Sequence, residues 1–380
     1  MLIIGAGVHG ASAAFHLASA GVSVTVLERG HAAGGPTGRS SAVVRAYYTN
    51  EFLARVARDA ITMFESFTAL THGGEAGFHR TGALWMHGND TADAARRSAA
   101  VLNELDIACD VLSPEEVRAQ YPRIACDDVG VAVWERGAGY ADPVGTTTGL
   151  LGAATALGAC YRSATKVTGI EERPKSVRVT TSDGDSLEAG RVLIAAGPWT
   201  KPLAAQVGAD LPLTVERHIV ATFACAGAPR LPFAFSDTIQ GYYLRPEGED
   251  QFLMGPLHEE PQADAENFDE RIGDDEALAL ATKAVRRIPD LEDAAPTGGW
   301  ASLYDVSPDW QPVIGQIGEH TYVDAGTSGH GFKLAPALGR HVAALVMGEE
   351  TDSGLAEFSP ERFASGRLLA AGFGRSRLLG

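Results

Sequence analysis

"MLIIGAGVHGASAAFHLASAGVSVTVLERG" (residues 1–30) carries the signal on which the fold turns. Residues 1–4 are apolar and read as a short buried strand. Gly5, Gly7 and Gly10 follow as G-x-G-x-x-G. Residues 11–20 are alanine-rich and favour a helix, with Gly21 as its stop. Residues 22–27 read as a second strand, and Glu28 stands at its end. Strand, glycine turn, helix and strand in this order are the context a dinucleotide-binding motif requires. The glycines let backbone approach a pyrophosphate, which then sits at the positive end of the helix. Glu28 is placed to accept from a ribose hydroxyl, and an acid there disfavours a 2′-phosphate. The reading is FAD or NAD rather than NADP.

Outward from this start, "GGPTGRSSAVVRAYYTNE" (34–51) interrupts the path to the next helix with a polar loop that carries Arg39, Ser40, Ser41 and Arg45. Such a loop suits a cofactor larger than NAD; composition alone leaves a solvated surface loop open. "RVLIAAGPWT" (191–200) is a buried strand that ends in Ala196, Gly197 and Trp199, where a glycine allows close approach to a ligand. Residues 145–157 read as a helix, 164–172 as a strand and 176–184 as a hairpin strand with an Asp-Gly turn. Strands are also expected at 81–88, 130–136, 218–226, 241–248 and 250–256, and an amphipathic helix at 269–289. Near the end, "VDAGTSGHGFKLAP" (323–336) runs into a helix at 333–348 with Lys333 in its first turn. A cation there costs about 0.3–1 kcal/mol unless an anion shares the site.

Composition sets the bounds. The 380 residues are 45% hydrophobic and 21% charged, as in a globular chain of one or two domains. A net charge of −17 argues against nucleic acid or an anionic membrane as a partner. No apolar run approaches the ~20 residues of a membrane span. Cys109, Cys126, Cys160 and Cys225 form no C-x-x-C pair and no metal cluster is spaced for ligation, so no metal is expected and the chain reads as cytoplasmic.

Six segments in order resemble the family of FAD-dependent amine and amino-acid oxidoreductases related to D-amino-acid oxidase, in its sarcosine oxidase, glycine oxidase and dimethylglycine dehydrogenase branch. They are the opening motif, "GRSSAVVR", "YADPVGTTTGLLGAA", "VLIAAGPW", "SLYDVSPDWQPVIG" and "VDAGTSGHGFKLAP". The resemblance implies an α/β fold: a discontinuous Rossmann-type FAD-binding domain (1–78, 142–215 and 298–380) and an α+β substrate domain with an antiparallel sheet (79–141 and 216–297). It implies oxidation of the C–N bond of an amino acid or N-alkyl amino acid, with hydride passing from the α-carbon to flavin N5 and an imine as product. Oxygen or another acceptor then takes the electrons. A homo-oligomer is compatible with the pattern.

The resemblance also assigns residues. Arg45 and Lys333 would hold the substrate carboxylate, a role that suits the planar fork of arginine; a surface salt bridge is the plainer reading of Arg45. Tyr242 and Tyr243 match an active-site tyrosine position, and strand alternation lets only one face the flavin. His258 matches an active-site histidine after a one-residue shift. The cofactor set is Gly5, Gly7, His9, Gly10, Glu28, Arg29, Arg39, Ser40, Ser41, Val167, Ala196, Gly197, Trp199, Gly326, Gly329, His330, Gly331, Phe332 and Lys333, with the backbone of His330 more than its ring at the flavin. Ser302 stands where some relatives carry a flavin-linking cysteine, so the FAD is expected to be non-covalent. The stretch "DQFLMGPLH" lacks the lysine that monomeric sarcosine oxidases place above the flavin. Two rival readings remain: an NAD-dependent dehydrogenase, and a flavin-binding subunit whose tail (362–380, with Arg362, Arg367, Arg375 and Arg377) meets a partner.

Overall fold

Strand Leu2–Ile4 lies inside a six-stranded sheet of the computed structural model, which describes residues 1–225 and 231–370. The strand order is Val313–Gln316, Thr321–Ala325, Val192–Ile194, Leu2–Ile4, Thr25–Leu27, Cys160–Arg162. All neighbours run parallel except the first pair, which is antiparallel. Both faces are covered, which explains the unbroken apolar run of the first strand. On one face, helix Val8–Ser19 packs against helices Pro143–Ala156 and Gly331–Met347. Its alanines permit the close approach, and Ser12 lies directly against Gly339. On the other face, an antiparallel layer of Val167–Arg173, Ser176–Thr181 and Ser186–Ala189 packs Val167, Ile170, Val177 and Val179 onto Leu2, Ile4 and Leu27. This is the expected Rossmann-type α/β arrangement.

A second sheet has eight strands, in the order Ala295–Val306, Thr214–Ala224, Gln251–Pro256, Tyr242–Glu247, Ala234–Asp237, Ala83–His87, Val131–Glu135, Cys109–Leu112. Its neighbours are antiparallel except Ala234–Asp237 with Ala83–His87, a parallel pair that joins the two expected inserts into one sheet. Helix Asp274–Arg287 covers the outer face, over a core that includes Leu84, Met86, Phe235, Tyr242 and Met254.

Several boundaries move. The helix expected from 269 starts at Asp274, because Glu276 reaches back to the amide of Gly273 and fixes the first turn there. The strand expected at 218–226 begins earlier, at Thr214, to pair along the whole of Ala295–Val306, which itself crosses the expected division at 297/298. Ala226 lies outside the described residues, as do Arg375 and Arg377. Arg362, expected on a partner-facing tail, is buried and bound to Asp309 at 2.8 Å. Among the described residues no helix is long and apolar enough to cross a membrane, and no His/Cys/Asp/Glu group is arranged for a metal.

Candidate active site

A cavity of about 910 Å³ is lined by the six-stranded sheet on one side and the eight-stranded sheet on the other. At one end lies the opening motif. Gly5 has φ 109 and a Cβ there would run into the carbonyl of Ala195, so only glycine serves. Glu28 accepts from the amides of Ala6 and Gly30, each at 2.8 Å, which fixes its carboxylate on the cavity wall. Arg29 lies 4.1 Å over the ring of Trp199, and both line the cavity. Gly7, His9, Arg39, Ser40, Ser41, Val167, Ala196, Gly197, Gly329, Gly331, Phe332 and Lys333 line it too. Sixteen of the nineteen residues assigned to the cofactor therefore share one wall, counted from that lining. The other three stand just behind it. Gly10 backs against the carbonyl of Gly5, and Gly326 opens the turn that Ser328 and Gly329 continue, all three at positive φ. His330 is the N-cap of helix Gly331–Met347, and its buried ring lies 5.7 Å from that of Tyr48.

A strap from the second lobe covers this end. Ala265, Glu266, Asn267, Phe268 and Glu270 line the cavity, and two ion pairs of 2.8 Å, Arg29–Glu266 and Arg39–Glu270, tie them across it. Trp300 donates to the carbonyl of Arg39 at 2.8 Å, and Arg245 to that of Ser41 at 2.6 Å. The polar loop of 34–51 is thus held by side chains of the eight-stranded sheet rather than left in solvent.

Toward the other end stand Lys333 and, behind it, Arg45 and Glu135. Lys333 is buried on the cavity wall, and its ammonium makes no hydrogen bond to a described residue. Burial first, then the charge of Arg45, push its pKa well below the ordinary lysine value, while Glu135 pulls the other way. Arg45 is buried as well. Its guanidinium stacks 4.2 Å over Tyr48 and 5.4 Å from Trp85, and it donates to the carbonyl of Tyr47. It does not line the large cavity. Glu135 accepts from the amide of Ala46 at 2.5 Å. Burial raises its pKa to about 7, against the lowering effect of Ala46 and Arg45.

The eight-stranded sheet supplies the facing wall. His218 and Ser302 are cross-strand partners, and both line the cavity with Tyr304. The ring of His218 stacks on Tyr304 at 3.8 Å, and its Nε2 lies 3.0 Å from Glu216. Tyr243 is on this side, near Ser41 and Tyr304. Tyr242 is not: pleating turns it into the core beneath helix Asp274–Arg287, near Asp237 and Arg287. His258 is also a correction. It is half-exposed, 3.1 Å from Glu260 and 3.2 Å from Lys283, away from the cavity, because the chain leaves the sheet after Pro256. Glu135 and His218 were not anticipated. Their local sequences, "VAVWER" and "VERHIVATF", mix charged with apolar residues as ordinary strands do and carry no distinct sign of a site.

The residues present fit an FAD-sized anionic cofactor: glycines where a Cβ would intrude, two helix N-termini without side-chain caps, and a carboxylate at the ribose position. The sequence profile described as FAD dependent oxidoreductase matches residues 1–345. Mitochondrial dimethylglycine dehydrogenase of Rattus norvegicus is 24% identical over 95% of this chain, which spans only 44% of that protein. Peroxisomal sarcosine oxidase of Homo sapiens is 27% identical over 96% of both chains. The crystal structure of an L-proline dehydrogenase from P. horikoshii has a TM-score of 0.86 and 25% identity, covering 97% of this chain and 98% of that one.

Proposed function

The chain belongs to the family of FAD-dependent oxidoreductases, and on that premise we propose that it oxidises the C–N bond of an amino acid or N-alkyl amino acid. The observation that carries the proposal is buried Lys333 on the cavity wall, with buried Arg45 and Glu135 close enough to act on its charge. A substrate carboxylate placed there would favour the protonated Lys333 that burial and Arg45 disfavour. The three relatives named above point to the same class, since dimethylglycine, sarcosine and proline are all N-substituted α-amino acids. The NAD-dependent reading explains only the first strand–helix–strand unit of a match that runs to residue 345.

In this reading Glu28 and the glycine cradle hold the dinucleotide, and residues 39–41 with the start of helix Gly331–Met347 flank the flavin. Ser302, buried on the wall with no hydrogen-bond partner among the described residues, offers no thiol, which supports non-covalent FAD. The six-stranded sheet belongs to the FAD domain and most of the eight-stranded sheet to the substrate domain. When bound, FAD supplies the two-electron acceptor for the hydride of the substrate α-carbon, leaving an imine. Lys333 and Arg45 fix the carboxylate and so the direction of the α-carbon. Arrival of the carboxylate restores the proton that burial tends to strip from Lys333. His218, Tyr304 and Tyr243 close the opposite wall and exclude water. Cys160, exposed and outside any disulfide, suits a reducing cytoplasm.

An anaerobic screen of sarcosine, proline-like and D-amino acids tests the proposal: one of them should bleach the bound flavin. A protein that cannot be reconstituted with FAD, or whose flavin no amine bleaches, sinks it; the second outcome supports a flavin-binding subunit. Return of colour in air marks an oxidase; return only with an added carrier marks a dehydrogenase. Arg45→Met and Lys333→Met should each raise KM for the bleaching substrate about 10- to 100-fold with FAD still bound.

A further inference from the structure

His9 is the second residue of helix Val8–Ser19 and stands on the cavity wall. Both of its ring nitrogens face acceptors. Nδ1 lies 3.0 and 2.9 Å from the two carboxylate oxygens of Asp324, and Nε2 lies 3.1 Å from the carbonyl oxygen of Gly331. A neutral imidazole has one N–H, so only the imidazolium donates to both. The side chain of Asp324 is 1% exposed and that of His9 12%, so the pair turns its negative end inward and its positive end toward the cavity.

The surroundings add to that polarity. Helix Val8–Ser19 begins at Gly7 and helix Gly331–Met347 at His330, neither capped by its own N-cap side chain, and His9 touches the first residue of the second. Two positive helix ends thus meet at an imidazolium. The charged groups that act on it are Asp324 on strand Thr321–Ala325 and Asp305 on strand Ala295–Val306, and Lys333 on the helix Gly331–Met347 and Arg39 on the loop line the same cavity. Asp305 is itself shifted toward its neutral form by burial. Burial works against the charge of His9, but Asp324, Asp305 and the Gly331 carbonyl outweigh it and raise its pKa. An anion in the cavity beside His9 would meet this imidazolium edge and the two helix ends together.

We propose that His9 is a cofactor-positioning residue, an imidazolium fixed by Asp324 that meets negative charge of FAD where the two helix ends converge. The inference rests on the FAD-binding reading above. FAD offers that charge from two sources: its diphosphate, present in both redox states, and its ring when reduced. The protonated form binds the anion, so affinity is highest at low pH and falls as pH rises through the raised pKa of His9.

Apoprotein titrated with FAD by fluorescence quenching between pH 5.5 and 9 gives the test. The wild-type Kd should rise about tenfold across the range. His9→Gln should start about tenfold weaker at pH 6 and stay flat. His9→Lys, which keeps the charge over the whole range, should bind tightly and also stay flat. Asp324→Asn should move the wild-type midpoint to lower pH. If the ring is the anion met, His9→Gln instead leaves the Kd of oxidised FAD unchanged and lowers the midpoint potential of the bound flavin. A His9→Gln variant with wild-type Kd profile and wild-type potential overturns the inference. Apoprotein that binds no FAD at any pH overturns the cofactor reading itself.

Discussion

Lys333 is a cation that its own fold opposes. Burial, a helix N-terminus and the charge of Arg45 all disfavour its protonated form. Its depressed pKa means that stability is lost as pH falls from the ordinary lysine range through the folded value. Lys333→Met should therefore raise the melting temperature of the apoprotein, with a gain that shrinks as pH approaches 10. Glu135 has the opposite slope. Its pKa is raised to about 7 from 4.5, so the folded state keeps a proton that the unfolded chain releases. Stability falls as pH climbs between those values and levels off above them. Glu135→Gln should gain on the wild type across that window by at most about 3 kcal/mol, seen in urea melts at pH 5 and 7.5. Parallel curves for the two proteins would refute the buried-proton account. Of this pair, only Lys333 was legible in the sequence, because a lysine beside three glycines at a helix start is anomalous by itself. Glu135 ends an ordinary strand, and its importance comes from Arg45 and Lys333, which lie far away along the chain. His258 misled for a related reason: spacing after a strand does not say where the chain turns off the sheet.

At the scale of elements, local chemistry was readable where glycine or capping residues set it. The first strand–helix–strand unit and the closing helix follow from Gly5, Gly7, Gly10, Gly21 and Gly331. The closing helix begins at Gly331, two residues before the apolar pattern, because helix starts need no apolar side chains. A Cβ on Gly331 would sit 2.7 Å from the hydroxyl of Thr327 and 2.8 Å from Nε2 of His9. Gly331→Ala should thus weaken FAD binding about tenfold or more, while urea denaturation shows a smaller loss of about 1–2 kcal/mol. An unchanged Kd would show that the helix start is more forgiving than its packing suggests. Sheet order was not readable. Five strands of the eight-stranded sheet were expected, while Cys109–Leu112, Ala234–Asp237 and Ala295–Val306 were not, and nothing in "FAFSD" announces a parallel partner in "ALWMH".

For the molecule as a whole, the strap of residues 264–270 makes cofactor release a matter of opening one lobe from the other. Its two ion pairs are largely solvent-exposed, so each contributes about 0–1 kcal/mol and is screened by salt. FAD should leave several-fold faster in 1 M NaCl than in 50 mM, and a Glu266→Gln, Glu270→Gln double variant should show the fast rate at both, with little change in melting temperature. Equal salt dependence in variant and wild type would mean that the strap is not the gate. The six-stranded sheet imposes an order of events earlier in the life of the chain. Leu2–Ile4 is flanked by Thr25–Leu27 and by Val192–Ile194, and the latter waits in turn for Thr321–Ala325. At roughly 5–20 residues per second of synthesis, tens of seconds pass between the first strand and the helix that completes the cofactor wall. An apolar strand with one unpaired edge must be shielded through that interval, and the cofactor wall is complete only once helix Gly331–Met347 has been made.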